Sequence, residues 1–308
     1  MTMRVLVTGA AGFVGRAVVR RLCRAGHDVV ALVHRTTAEF PAECQVRTAD
    51  LHDLDDVVAD VDGVCHLAGA TRVRDSFAAP VEYFHTNVTG TLALLAALDR
   101  VRPAARLVFA STAAVYGSSA VQPISEAAAP NPQSPYAASK HAAEAAVHWQ
   151  SATGRLGAIT LRAFNIAGPG DTDLTRLIPK LIAVSAGQAP FLEINGDGAA
   201  VRDFLHVDDF AAAIDAALAA CRLGEHRIYN VSGTRASIAD VVRTARAVTG
   251  VDIEVRHRPP QPEPSIVVGD SARIRSELGW RPWSSTLTRI IADAWEAHVP
   301  LATMGAPR

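Results

Sequence analysis

Cysteine is scarce in this 308-residue sequence, and neither sign of charge is in excess. The four cysteines (Cys23, Cys44, Cys65, Cys221) are far apart and lie in apolar stretches, so we expect reduced core residues, no disulfide framework and no metal site. The 30 basic and 31 acidic residues give a net charge of −1, which disfavours nucleic acid and membrane surfaces as partners.

Long hydrophobic runs are also missing, so no membrane-spanning helix is predicted. A strand pattern begins at residue 4, and we therefore expect no signal peptide. Together these observations predict a soluble, cytoplasmic protein.

Short β-branched runs alternate with longer alanine-rich segments through the first half of the chain. Strands are predicted at 4–8, 28–33, 45–47, 63–67, 106–110 and 158–161, and helices near 13–25, 53–59, 81–101 and 136–153. Because the strands are almost continuously apolar, we expect both faces of the sheet to be covered. The pattern predicts an α/β protein with a doubly wound parallel sheet of the Rossmann type.

After residue 162 glycine- and proline-rich stretches separate shorter elements. Helices are predicted at about 174–186, 207–221 and 237–249, a strand at 227–231, and a final helical region after RHRPPQPEP. We expect a smaller C-terminal lobe, 164–205 plus 233–308, beside a larger domain, 1–163 plus 206–232.

Three glycines lie between the first predicted strand and the first predicted helix, in VLVTGAAGFVG. Glycines there permit a tight turn and the close approach of a pyrophosphate to the helix N-terminus. The G-x-x-G-x-x-G spacing is looser than the usual dinucleotide fingerprint, and a plain structural turn is the alternative. The candidate cofactor contacts are Gly9, Gly12, Phe13, Val14 and Gly15.

Two further loops follow strands on the same side of the sheet. Asp50 and Leu51 follow the third strand, where a carboxylate could accept from an adenine amino group or, alternatively, cap a helix. Leu67, Ala68 and Gly69 follow the fourth strand, and small residues there let the backbone pass close to a ligand. We expect both loops to contact the dinucleotide, and the larger domain to bind it.

The second strand is followed by His34 and Arg35, where an NAD-binding protein usually carries an acidic residue for the ribose. A basic pair suits a 2′-phosphate, so the sequence favours NADP over NAD. Alternatively, Arg35 stacks on the adenine or points to solvent.

A tyrosine and a lysine stand four residues apart in SPYAASK. In a helix this spacing places Tyr136 and Lys140 on one face. An ammonium group close to a phenol lowers the pKa of the phenol, which would make Tyr136 a proton carrier near neutral pH. By itself the pair could equally be two solvated side chains. Ser111 and Thr112 end the fifth strand at the sheet edge where ligands bind.

Nine segments now resemble the extended short-chain dehydrogenase/reductase family, in particular its sugar-nucleotide epimerases. They are TGAAGFVG, HLAGA, NVTGT, STAAVYG, PNPQSPYAASK, LRAFNIAGPG, VRDFLHVDD, YNVSG and GDSARIRSELGW. The resemblance implies that Tyr136 is the acid/base, that Lys140 holds the nicotinamide ribose and that Thr112 bonds the reacting oxygen, with Ser111 beside it. It also places Asn87 at the cofactor.

The resemblance further assigns substrate-binding residues. Asn165 resembles a sugar-nucleotide contact, and Arg202 resembles the arginine that clamps the diphosphate. Without the resemblance, Arg202 would be interpreted as half of a surface ion pair and Asn165 as a turn residue. Arg273 is a further candidate, whereas His206 is expected to be structural.

Two departures from the family pattern limit the possible reactions and substrates. Ala113 and Ala114 follow Thr112 where dehydratases and decarboxylases of the family carry acidic groups, and methyl groups cannot transfer protons. Gln261 stands near the position where many 4-epimerases carry a second diphosphate-binding arginine. Arg256, Arg258 or Arg273 would have to replace it, or the substrate is unusual.

The leading hypothesis is an NAD(P)-dependent sugar-nucleotide epimerase acting at C4 of an NDP-hexose through a transient keto sugar. The alternatives are an NADPH-dependent ketoreductase of a nucleotide-linked keto sugar and a non-catalytic dinucleotide sensor. We also expect a homodimer, because the alanine-rich helices near 87–101 and 136–153 allow close helix–helix contact and the corresponding pair forms the dimer in this family. Burial of these helices within the monomer is the alternative.

Overall fold

The computed structural model describes residues 2–34, 38–261 and 263–298. Its strands are β1 (Arg4–Thr8), β2 (Asp28–Val33), β3 (Gln45–Thr48), β4 (Gly63–His66), β5 (Ala105–Thr112), β6 (Leu156–Ala163), β7 (Asn165–Ala167), β8 (Leu192–Asn195), β9 (Val201–His206), β10 (His226–Val231), β11 (Thr234–Ser237), β12 (Val255–Arg258) and β13 (Ile266–Val267).

The helices are α1 (Phe13–Arg24), α2 (Asp55–Val58), α3 (Val73–Ala78), α4 (Pro80–Phe84), α5 (Gly90–Val101), α6 (Pro135–Ala152), α7 (Leu177–Ser185), α8 (Val207–Ala220), α9 (Ile238–Thr249), α10 (Ala272–Leu278) and α11 (Leu287–His298). A π-helical turn (His85–Thr89) joins α4 to α5, and a 3₁₀ turn (Ala113–Tyr116) follows β5. The single helix predicted at 81–101 is therefore wrong in detail: it is interrupted by the π turn. None of the helices in the described part of the chain is long and apolar enough to cross a membrane.

Seven strands form the central sheet in the order β10-β6-β5-β4-β1-β2-β3, and every neighbouring pair is parallel. Helices α1 and α8 pack on one face around Val18, Leu22 and Phe210, and α5 and α6 pack on the other around Leu94 and Val147. The predicted doubly wound parallel sheet is confirmed. The strand order reverses between β1 and β4, which is where such folds bind ligands.

The C-terminal lobe has its own sheets and core. Strand β9 pairs with β7 and β13 in parallel and with β11 antiparallel, and β12 pairs with β8. Helices α7, α9 and α11 cover a separate apolar cluster. Strands β8 and β9 lie in the glycine-rich stretch for which the sequence predicted no strand. The exact division into two domains stays a prediction.

Candidate active site

Most of the predicted cofactor contacts line one cavity of about 940 Å³, which we call the glycine-loop cavity. It opens at the carboxyl ends of β1, β2, β3 and β4. The predicted residues that line it are Gly9, Gly12, Phe13, Val14, Gly15, His34, Asp50, Leu51, Leu67, Ala68 and Gly69.

The loop after β1 has the geometry that a dinucleotide requires. Gly9 has φ +66°, and a Cβ atom on it would lie 2.8 Å from the backbone nitrogen of Ala68. Gly12 is the N-cap residue of α1 and has no side chain that could cap the helix. The N–H groups of the first helical turn are therefore left for a ligand. A helix N-terminus of this kind binds phosphate groups. The residues present therefore fit a dinucleotide.

A buried histidine fixes the neighbouring loop after β4. Thr91 Oγ1 donates to the Asn87 carbonyl at 2.6 Å, so His66 Nε2 donates to Thr91 Oγ1 at 3.0 Å and His66 Nδ1 accepts from Thr8 Oγ1 at 2.8 Å. Burial, with a smaller contribution from Lys140, lowers the pKa of His66 to about 3, so the ring is neutral. Thr8 Oγ1 also accepts from the backbone N–H groups of residues 67 and 68 at 3.1 Å, which sets the cavity wall.

Asn87 does not line the glycine-loop cavity but holds its wall in place. Its side chain is buried, accepts from Ala70 N at 2.8 Å, and donates to Ala70 O at 3.1 Å and to Ser139 Oγ at 2.9 Å. It thereby ties the loop after β4 to α6.

His34 and Asp50 face each other at one end of this cavity, with His34 Nε2 3.3 Å from Asp50 Oδ2. Asp50 Oδ1 also accepts from the backbone N–H of His52 at 3.0 Å. Arg35, the second half of the predicted basic pair, lies outside the described residues.

A second cavity of about 790 Å³, which we call the catalytic cavity, adjoins the first. Val14, Leu67 and Gly69 line both, so the two are contiguous. The catalytic cavity brings together six predicted residues from four segments of the chain: Ser111, Thr112, Tyr136, Lys140, Asn165 and Arg202.

Helix α6 positions the tyrosine and the lysine. Ser134 caps the helix by accepting from Ala137 N at 3.2 Å, and Tyr136 and Lys140 follow on one face. The Lys140 side chain is buried, and its Nζ lies 4.1 Å from the centre of the Phe109 ring.

The expectation that Lys140 lowers the pKa of Tyr136 is wrong. Burial raises the pKa of Tyr136, and the groups that oppose this rise are Thr112, through a hydrogen bond, and Arg176, through its charge. Burial also lowers the pKa of Lys140 to about 8. Lys140 is not among the groups that shift the pKa of Tyr136, and its ammonium group is directed to the Phe109 ring instead.

The far end of the catalytic cavity carries the predicted substrate contacts. Arg202 Nη2 lies 3.2 Å from Glu263 Oε2, and both residues line the cavity. Asn165 Nδ2 donates to the Asp203 carbonyl at 2.7 Å. Asp203 itself is buried and accepts from Gly233 N at 2.7 Å and Gly269 N at 3.3 Å, which fixes the strand that presents Arg202.

The three arginines expected to replace the one missing near Gln261 do not line the catalytic cavity. Arg256 Nε bonds Glu254 at 2.8 Å, Arg258 Nη2 bonds Glu193 at 2.5 Å, and Arg273 Nε bonds Glu277 at 2.9 Å. Arg273 also lies over the Tyr229 ring, 5.2 Å from its centre.

Sequence reasoning missed the arginine that lies between the two cavities. Arg176 lines both, and its Nη1 bonds Asp171 Oδ2 at 3.2 Å. Nearby, Arg72 Nε bonds Asp173 Oδ2 at 3.3 Å and so joins the loop after β4 to the segment before α7. The signal was the charged stretch DTDLTR directly after the glycines of GPG; the sequence analysis placed residues 174–176 in a helix, whereas α7 begins at Leu177.

Comparison with known proteins agrees with this geometry. The profile of the NAD dependent epimerase/dehydratase family matches residues 5–232. The UDP-glucose 4-epimerase of Streptomyces lividans is 36% identical, with 97% of each chain covered. The UDP-glucose-4-epimerase structure from Stenotrophomonas maltophila, with NAD and formylated UDP-arabinopyranose bound, has a TM-score of 0.88 at 28% identity and covers 96% of this chain and 97% of that one. The structure of MoeE5 with UDP-glucuronic acid and NAD has a TM-score of 0.85 at 32% identity. This match covers 96% of this chain and 98% of the MoeE5 chain. The resemblance stated from the sequence is therefore confirmed, and the chain belongs to the NAD-dependent epimerase/dehydratase family.

Proposed function

We propose that the protein is an NAD-dependent sugar-nucleotide epimerase that inverts C4 of an NDP-hexose. The observation that carries the proposal is the position of Thr112, Tyr136 and Lys140 in the catalytic cavity, next to the glycine-loop cavity. The relatives named UDP-glucose 4-epimerase and the neighbours with UDP-sugars and NAD bound support the substrate class.

The roles of the chain's own residues follow from this arrangement. Tyr136 accepts the proton of the C4 hydroxyl and later returns it, while Thr112 holds the same oxygen. Arg202 binds the diphosphate through a guanidinium group, and Asn165 contacts the sugar nucleotide. The loops after β1 and β4 and Lys140 would hold NAD, which would take the hydride from C4 and supply it again for the reduction. The keto sugar turns in the cavity, so that C4 is reduced on its other face.

The residues after Thr112 limit the reaction to this oxidation and reduction. Ala113 and Ala114 form the 3₁₀ turn there, and Thr112 Oγ1 accepts from Ala114 N at 3.1 Å. Neither side chain can transfer a proton, which argues against dehydration and decarboxylation.

The experiment is to purify the protein, denature it and identify what is released. An epimerase is expected to release tightly held dinucleotide and to interconvert UDP-glucose and UDP-galactose without added cofactor. An empty protein that reduces a keto sugar with added NADPH would replace the proposal with the ketoreductase. Unchanged biological activity in Tyr136→Phe would instead indicate a dinucleotide sensor.

The same experiment decides the cofactor. We propose NAD, because the similar structures from Stenotrophomonas maltophila and of MoeE5 contain bound NAD. The preference for NADP, which the sequence favoured through His34 and Arg35, stays a prediction. NADP released from the denatured protein would support it.

We further propose that the protein is a homodimer through α5 and α6. Leu92 and Trp149 on these helices are 48% and 70% exposed, and a second copy of the chain packed on α5 and α6 would cover them. The mass of the protein in solution tests this, with L92R/W149E expected to be monomeric. The cytoplasmic location also stays a prediction.

A further inference from the structure

The face of α6 that carries Tyr136 and Lys140 continues one turn further to a buried carboxylate. Glu144 is four residues beyond Lys140 and only 3% exposed. Its Oε1 accepts from Ser111 Oγ at 2.5 Å and from Arg162 Nε at 3.0 Å, and its Oε2 accepts from Arg162 Nη2 at 2.6 Å. We call Glu144, Arg162 and Ser111 the buried triad.

The fold of the central sheet creates this triad. Ser111 on β5 and Arg162 on β6 are direct partners in the parallel register, and α6 packs across both strands. Arg162 also lies over the Tyr116 ring, 4.8 Å from its centre. Burial alone would lower the pKa of Arg162, but the hydrogen bonds that Arg162 donates to Glu144 and the charge of Glu144, with smaller contributions from Tyr116, together raise it.

Packing alone does not explain an ion pair at this position. Replacing a buried ion pair with apolar residues of similar volume is often neutral or stabilising, because both charges lose their hydration on folding. A carboxylate retained under the catalytic cavity therefore needs another explanation.

Lys140 provides that explanation, because it lies one helical turn before Glu144 on the same face of α6 and is itself only 6% exposed. Burial lowers the pKa of Lys140 to about 8, and the charge that opposes this is Glu144. Within the described part of the chain, the histidines around the triad and Lys140 do not supply a negative charge. On β4 and β10, burial lowers the pKa of His66 to about 3 and of His226 to about 4, so both rings are neutral.

Three more ionisable side chains lie in or beside the triad. Arg162 on β6 is a cation, and burial raises the pKa of Tyr136 on α6. His141, also on α6, has its Nδ1 3.5 Å from Glu144 Oε2.

We propose that Glu144 is a positioning residue for the epimerase reaction: held by Arg162 and Ser111, its carboxylate supplies the counter-charge that keeps the Lys140 ammonium cationic under the catalytic cavity. Ser111 then helps to hold the Glu144 carboxylate in place, because its hydroxyl group donates a hydrogen bond to Glu144. The inference rests on the proposed function only where it assigns Lys140 a task in the reaction.

Direct titration of Lys140 tests the electrostatic part without any assay of activity. The sequence contains only two lysines, Lys140 and Lys180. Lysine labelled with ¹³C at Cε therefore gives two NMR signals, which K180R assigns. E144Q alone would leave the guanidinium of Arg162 buried without a carboxylate, so both charges are removed together in E144Q/R162Q.

The expected result is a Lys140 titration about one pH unit lower in E144Q/R162Q than in the wild type. E144L/R162M removes the same charges with apolar groups, so the test does not depend on one variant folding. S111A is the matched control: it removes one hydrogen bond to Glu144 but keeps the charge, and the titration of Lys140 should move much less. An unmoved Lys140 titration in both double variants overturns the proposal.

The pH profile of kcat/KM tests the functional part. If the ammonium is required, the alkaline limb moves with the Lys140 titration, so activity falls roughly fivefold at pH 8 but less than twofold at pH 6.5. A uniform loss at all pH values would show a merely structural role and overturn the proposal. Failure of the wild type to epimerise any UDP-sugar would overturn the proposed function instead, and the NMR result would still decide the charge on Lys140.

Discussion

Replacing Gly9 with alanine should damage both stability and cofactor binding, and the structure gives the size of the effect. Alanine in the left-handed conformation of Gly9, φ +66°, costs about 1–2 kcal/mol. Its Cβ would also lie 2.8 Å from Ala68 N and 2.9 Å from Ala68 Cα, both backbone atoms that cannot rotate away. Overpacking of this kind costs about 1–3 kcal/mol more, for a total of about 2–5 kcal/mol.

Gly26 offers a matched control for the conformational part. It also has a left-handed backbone, φ +83°, but a Cβ atom there would meet nothing within 4 Å. Gly26→Ala should therefore cost about 1–2 kcal/mol only.

Two measurements compare the variants: the free energy of unfolding in urea, and the amount of dinucleotide released per chain on denaturation. Gly9→Ala should lose dinucleotide because the loop at Ala68 must move, whereas Gly26→Ala should keep it. Equal destabilisation of the two variants, with full dinucleotide in both, would refute the idea that backbone contact is what requires glycine at position 9.

Three further predictions concern the rest of the site. Burial raises the pKa of Asp203 from 3.8 to about 6, so the folded chain holds this proton more tightly than the unfolded one. The free energy of unfolding should therefore fall by about 2 kcal/mol as pH rises from 4 to 6, and D203N should remove that part of the pH dependence in urea unfolding. R202Q should raise KM for the UDP-sugar roughly tenfold or more, whereas R273Q should leave it within about twofold, because Arg202 lines the catalytic cavity and Arg273 does not; equal effects would contradict the placement of either residue. N87D puts a carboxylate against the Ala70 carbonyl and should cost about 3 kcal/mol in thermal unfolding, against a small effect for an exposed Asn131→Asp control.

The central sheet could be predicted from the sequence because its signals are local. A strand buried on both faces is a continuous apolar run such as RVLVT, and the glycines after it mark the turn into α1. The same holds for Tyr136 and Lys140, which share a helix face through their spacing alone. These features need no knowledge of a distant part of the chain.

The fold of the C-terminal lobe was harder to predict from the sequence, because its strands are short and depend on partners far away in the chain. Strand β8 has four residues and pairs with β12, more than fifty residues later. Its glycine-rich surroundings looked like a loop. The π turn at His85–Thr89 was equally hidden, because NVTGT fits a regular helix and the extra residue is visible only in the backbone hydrogen bonds.

The expected effect of Lys140 on the pKa of Tyr136 was wrong for a related reason. Sequence spacing places Lys140 one turn from Tyr136, but only the fold shows that the Phe109 ring lies under the ammonium and that Arg176 comes from another segment to act on the phenol. Glu144 continues the same spacing, and in an isolated alanine-rich helix it would be a solvated charge. Its burial depends on Arg162, which the register of two parallel strands places beside Ser111. A residue pattern can therefore identify the groups that react, whereas the charges that tune them are set by contacts between strands and helices distant in sequence.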